Sequence, residues 1–79
     1  MATSATMAPK TELKRSLTIA GHRTSLSLEP EFWDALKQAA GEDKKSLAAL
    51  VGEIDASREG RNLSSAIRVW VLHRSLHRH

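Results

Sequence analysis

The pattern of apolar and polar positions changes period along the chain. Ala, Thr and Ser dominate the first dozen residues, with Pro9 and no apolar periodicity, which predicts a flexible amino-terminal arm over residues 1–13. From Lys14 the period is two: Leu17 and Ile19 alternate with Ser16, Thr18 and Ala20, Gly21 interrupts, and Leu26 and Leu28 alternate with Ser25 and Ser27. That spacing predicts strand, because successive side chains of a strand point to opposite faces. The expected fold class is mainly α with one short β-strand, Arg23 to Leu28, which needs a partner strand. The alternative is a hairpin inside one chain, with Ser16 to Ile19 pairing with Thr24 to Leu28 around Gly21-His22. The two stretches look alike but are too short to count as an internal repeat.

The period then becomes helical. Glu29-Pro30-Glu31 opens a helix, since proline fits the first turn and acids favour the positive end of the helix dipole. It is expected to run to about Ala40, with Phe32, Trp33, Leu36 and Ala40 facing the core and Gly41 as the stop. A charged turn, Glu42 to Lys45, leads to Ser46 as the N-cap of a second helix ending near Arg58, with Leu47, Leu50, Val51 and Ile54 on one face. Gly60-Arg61-Asn62 breaks the pattern. A third helix follows, starting after Asn62 or at Ser64, with Leu63, Ala66, Ile67, Trp70 and Val71 on its apolar stripe. The expected domain is residues 14–73, followed by a fraying basic tail at 74–79.

With 79 residues and no cysteine, the chain makes one small domain that neither disulfides nor a zinc-thiolate site can staple. Oligomerisation is the remaining remedy, so a homodimer is expected, with a core built from Leu26, Leu28, Phe32, Trp33, Leu36, Leu50, Ile54, Ile67 and Trp70. The formal net charge is +3, with the acids concentrated in the helical middle and both ends basic, a balance that suits a polyanionic partner. No apolar run approaches the roughly 20 residues of a membrane span, and the amino terminus has no secretory apolar core, so a cytoplasmic protein is expected.

The residues offer no sign of catalysis: no glycine-rich phosphate loop, no nucleophile beside a base, and Glu53 and Asp55 point to different sides of a helix. His73 and His77 share a helix face but have no acidic or cysteine ligand beside them, which favours a solvated basic tail over a metal site. No cofactor or metal is expected.

A short strand, an acid-rich helix start and further amphipathic helices resemble the ribbon-helix-helix family of Arc- and MetJ-like DNA-binding proteins. The resemblance is good over Arg23 to Ala40 and looser elsewhere. The stretch from Ser16 to Trp33 is more specifically similar to a short bacterial branch of that family. The resemblance implies an intertwined homodimer in which one strand from each subunit pairs antiparallel and the ribbon enters the major groove of double-stranded DNA. If Leu26 and Leu28 point inward, Arg23, Ser25 and Ser27 face the bases. Arg can fork onto guanine O6 and N7, and a serine hydroxyl donates or accepts at several base edges. Thr24 falls on the inner side, where the family often has an apolar residue. A solvated face of an ordinary sheet is the competing reading of the outward set.

The family also anchors phosphates on the amino end of its second helix, where free amides and the dipole attract anions. Two helices compete for that role, one opened by Lys45 and Ser46 and one carrying Ser64 and Arg68. For either serine the alternative is a plain cap. Lys14 and Arg15 are further expected phosphate contacts, with Lys10, Arg74 and Arg78 as additions, and plain solubility is their alternative. The implied function is a sequence-specific DNA-binding protein, a transcriptional repressor on a palindromic or repeated site. The alternative is a dimeric interaction module, adaptor or antitoxin-like, that docks a partner protein through its carboxy-terminal helix.

Overall fold

Ala20 and Gly21 both have positive φ, 52° and 83°. This is the requirement of the two-residue hairpin turn whose twist matches that of the strands it joins. The computed structural model describes residues 12–77, and in it this turn connects β1 (Leu13–Ile19) to β2 (His22–Leu28). The strands pair antiparallel from Leu13 opposite Leu28 to Ile19 opposite His22. The expected single strand is therefore corrected to two strands of one chain, because the Leu17 and Ile19 alternation finds its partner across its own turn. Residues 1–11 of the expected arm, with Lys10, lie outside the described residues, as do Arg78 and His79 of the tail. Leu13, assigned to that arm, is the first strand residue.

Three helices follow: α1 (Pro30–Glu42), α2 (Leu47–Ala56) and α3 (Leu63–Leu76). Ser46 accepts a hydrogen bond from the amide of Ala49, and Asn62 accepts one from Ser65, each satisfying a first-turn donor of the helix it caps. The end of α1 departs from expectation. The helix passes through Gly41, and the chain leaves it at Lys44, whose φ is 57°. The amide of Lys45 donates to the Ala40 carbonyl and that of Lys44 to Gly41, a Schellman closure with lysine in the left-handed position.

Leu26, Leu28, Trp33, Leu36, Leu50, Ile54 and Ile67 are all buried within this single chain, joined by Ile19, Ala39, Ala40, Val51 and Ala66. Phe32 and Trp70, the other two residues of the expected dimer core, are partly buried against that cluster. Each lies under a guanidinium, Arg68 at 5.8 Å from the Phe32 ring and Arg74 at 5.4 Å from the Trp70 ring. Trp33 satisfies its indole N–H by donating to the Leu13 carbonyl at 2.9 Å, which fastens the start of β1 to α1. Arg74 does not fray: it donates to Glu42 and to both oxygens of Asp43, clamping α3 onto the end of α1.

The left-handed positions give opposite expectations. Gly21→Val forces a β-branched residue into positive φ and should lower stability by about 1–2 kcal/mol, whereas Lys44→Gly relieves the same strain and should raise it by about 1 kcal/mol. Urea denaturation of the two variants beside wild type measures both signs.

Candidate nucleic-acid interface

Because cross-strand partners share a face of an antiparallel pair, the register sorts the hairpin into two sets. Leu17, Ile19, Leu26 and Leu28 turn toward the helices. On the opposite face Lys14 lies across from Ser27, Ser16 from Ser25 and Thr18 from Arg23. Five of these six side chains are exposed and Ser27 is half-buried. The expected outward set of Arg23, Ser25 and Ser27 thus lies on one surface with three residues from β1. No Asp or Glu occurs anywhere from Leu13 to Leu28. Lys14 and Arg23 stand at diagonal corners, four residues apart along the ribbon, or about 14 Å at strand rise. Neither forms an ion pair among the described residues.

The expected phosphate contacts are scattered by comparison. Arg15 is on the helix-facing side of β1, its guanidinium 5.2 Å from the centroid of the Trp33 ring. Lys45 pairs with Glu53 at 2.7 Å, and Ser46 is occupied as the α2 cap. Arg68 is held by Glu29 at 3.0 Å and Glu12 at 3.2 Å. Ser64 donates to the Ser27 carbonyl at 3.2 Å, so the first turn of α3 is fastened to β2. Asp55, Arg58 and Leu63 border the hairpin turn in a shallow cavity with Ile19, Ala20, His22 and Thr24. The amino end of α3 therefore lies beside the ribbon, whereas Lys45 and Ser46 open the opposite end of α2.

Ser16 and Thr18 are the outer-face residues that the strand assignment left out. The alternation at Leu17 and Ile19 was their signal, but it gains meaning only once β1 and β2 are known to pair. At the other end of α3, the His73 and His77 rings meet edge to face at 6.4 Å, and His77 Nδ1 lies 2.8 Å from the His73 carbonyl. Among the described residues no group of three or more His, Cys, Asp or Glu side chains converges on a metal position, and no helix is long and apolar enough to cross a membrane.

Two carboxylates that hold the frame are acidified. Glu29 is kept below its ordinary range first by a backbone hydrogen bond and then by the Arg68 guanidinium. Asp43 is lowered by its hydrogen bonds to Arg74, whose own pKa is raised in return by Asp43 and Glu42.

A family model described as a ribbon-helix-helix domain matches residues 12–75. No curated protein and no solved structure matches the chain.

The sign of the Asp43 shift fixes a pH dependence. Its folded-state pKa lies below the unfolded value, so the clamp contributes to stability above the ordinary carboxylate range and loses that contribution as the pH falls through the folded value. Asp43→Asn should be less stable than wild type at neutral pH, and the gap should close as the pH falls below the ordinary carboxylate range and through the lower folded value. Thermal melts of both proteins across an acid series measure the gap.

Proposed function

The chain belongs to the ribbon-helix-helix family, whose members are broadly DNA-binding transcription regulators, and on that footing we propose that it is a sequence-specific DNA-binding protein that represses transcription by occupying its site. The observation that supports this most is the outer ribbon face: polar, acid-free, carrying Lys14 and Arg23 without ion-pair partners among the described residues, on a two-stranded element of the width that the major groove admits. Arg23 forks onto guanine O6 and N7, while the Ser25 and Ser27 hydroxyls adapt to neighbouring base edges. Phosphate anchoring falls to the amino end of α3, where Ser64 touches the ribbon and the positive end of the helix dipole favours an anion. Lys45 and Arg68 are poorer candidates, since a phosphate must displace carboxylates from both.

Family members generally bind DNA as dimers, and a homodimer in the bacterial cytoplasm is part of the proposal. Because β1 and β2 pair within the chain, the partner copy is not needed to complete the ribbon. It is placed instead on the apolar strip of α3, where Phe32, Val69, Val71 and Leu72 line an open groove and Leu72 and Leu76 are 55% and 62% exposed. The same strip favours a second reading, an adaptor or antitoxin-like module that docks a different protein through α3.

Arg23→Ala should weaken binding to a duplex selected from a random pool by about 1–3 kcal/mol, with a much smaller effect on random duplex, because base contacts carry sequence information and phosphate contacts do not. Fluorescence anisotropy across a salt series, on variants shown to fold, makes the comparison. Equal losses on both duplexes would remove Arg23 from the reading set. If the folded wild type binds no duplex even at low salt, the docking-module reading takes its place.

Leu72→Glu should leave the melting curve cooperative while converting dimer to monomer in sedimentation. A wild type already monomeric at micromolar concentration would refute the assigned interface.

A further inference from the structure

The register of the hairpin relates its two strands to each other. The central outer-face pair is Ser16 with Ser25, and a half-turn about an axis through that pair exchanges β1 with β2. Under this rotation Lys14 takes the place of Arg23, Ser16 that of Ser25 and Thr18 that of Ser27. On the inner face Leu17 takes the place of Leu26 and Ile19 that of Leu28. The sequences agree position by position: Lys14-Arg15-Ser16-Leu17-Thr18-Ile19 against Arg23-Thr24-Ser25-Leu26-Ser27-Leu28. Each strand reads cation, any residue, serine, leucine, hydroxyl, branched aliphatic. The one chemical mismatch, Arg15 against Thr24, falls on the inner face, where Arg15 covers Trp33.

We propose that one chain carries two copies of the reading strand, so that Lys14, Ser16 and Thr18 determine sequence specificity alongside Arg23, Ser25 and Ser27. The proposal rests on the reading of the outer ribbon face as the DNA interface and goes beyond it in assigning β1 an equal part. In a ribbon assembled from two subunits, identical strands face each other and the symmetry is enforced. Here a two-residue turn closes the ribbon inside one subunit, and the resemblance of β1 to β2 supplies an approximate symmetry instead.

The element read by one chain is therefore nearly, but not fully, palindromic. The two cations are about 14 Å apart along the ribbon, which spans about four base-pair steps of duplex at 3.4 Å per step. Because they stand on different strands of the ribbon, they face opposite strands of the DNA. The arms differ in strength. Arg23 offers a rigid fork to guanine, whereas Lys14 offers a point charge on a flexible stem, so base preference is sharper on the Arg23 side. Thr18 beside Arg23 adds a methyl that can meet a thymine methyl, which Ser27 beside Lys14 cannot.

The test combines selection of bound duplexes from a random pool with anisotropy on Lys14→Ala, Lys14→Arg and Arg23→Ala, each first shown to melt like wild type. The expected selected element has guanine near both ends on opposite strands, about four base pairs apart, and is better defined at one end. Lys14→Ala should lose about tenfold on the selected duplex and much less on random duplex, and Lys14→Arg should yield a more symmetric selected element. If Arg23→Ala loses specificity while Lys14→Ala weakens both duplexes equally, Lys14 is only a phosphate contact and the two-copy proposal fails while the DNA-binding reading stands. If no duplex is selected and the wild type does not bind random DNA at low salt, the DNA-binding reading itself fails.

Discussion

The closure of the ribbon inside one chain is the constraint on which the rest of the molecule depends. With Ala20 and Gly21 in left-handed conformations, the register is fixed at Leu13 opposite Leu28, and from it the two faces follow without further choice. A slip of one residue would carry Leu26 and Leu28, both buried, out to solvent and drive Arg23, Ser25 and Ser27 into the helices. The hydrophobic pattern and the turn therefore enforce the same register. The helices complete what the turn begins: α2 packs against the tip of the hairpin, with Gly52 facing Ile19, and α3 is tied to β2 through Ser64.

The charges divide by task. Arg58, Arg68, Arg74 and Lys45 are ion-paired, and Arg68 and Arg74 also lie over the rings of Phe32 and Trp70, so they stabilise by packing as well as by charge. These pairs are partly exposed, and each is worth little alone. Their value is positional: Glu29 with Arg68 joins the start of α1 to α3, and Asp43 with Arg74 joins the end of α1 to the far end of α3. Lys14 and Arg23, by contrast, make no such pair among the described residues, and both project from the ribbon away from the helices.

Much of this was legible in the sequence, and what was not has physical reasons. The alternation at Leu26 and Leu28, the Pro30 helix start and the Ser46 cap are local signals, and the elements stand where those signals put them; the start of the third helix, open between Asn62 and Ser64, falls after the Asn62 cap. The hairpin stood only as the alternative to one strand, with its turn placed at Gly21-His22 and not at Ala20-Gly21, which lacks the asparagine or aspartate that usually marks such a turn; alanine tolerates positive φ poorly, and the pairing of the strands on either side holds it there. Gly41 misled for the converse reason. Glycine marks a stop only where left-handed φ is needed, and that need arises at Lys44. The clamp at Arg74 was invisible because its partners lie about thirty residues earlier in the chain, and no local pattern predicts such a contact. On the outer face, Arg23, Ser25 and Ser27 followed from strand parity alone, but Ser16 and Thr18 needed the partner strand.

A ribbon complete in one chain changes what a second copy would be for. Where each subunit supplies one strand, dimerisation and DNA reading are one event, and a variant that blocks one blocks both. Here the inner-face leucines and the helices already pack together in a single chain, so a second copy would have no ribbon to complete. A dimer joined along α3 would instead bring two finished reading elements into fixed relation, and its geometry would set the spacing and orientation of two sites without altering what each one reads. Affinity then gains from the effective concentration of the second element, which depends on the rigidity of the α3 contact. That rigidity traces back to Arg74, whose grip on Glu42 and Asp43 holds the far end of α3 against α1 and so fixes the direction in which Leu72 and Leu76 are presented.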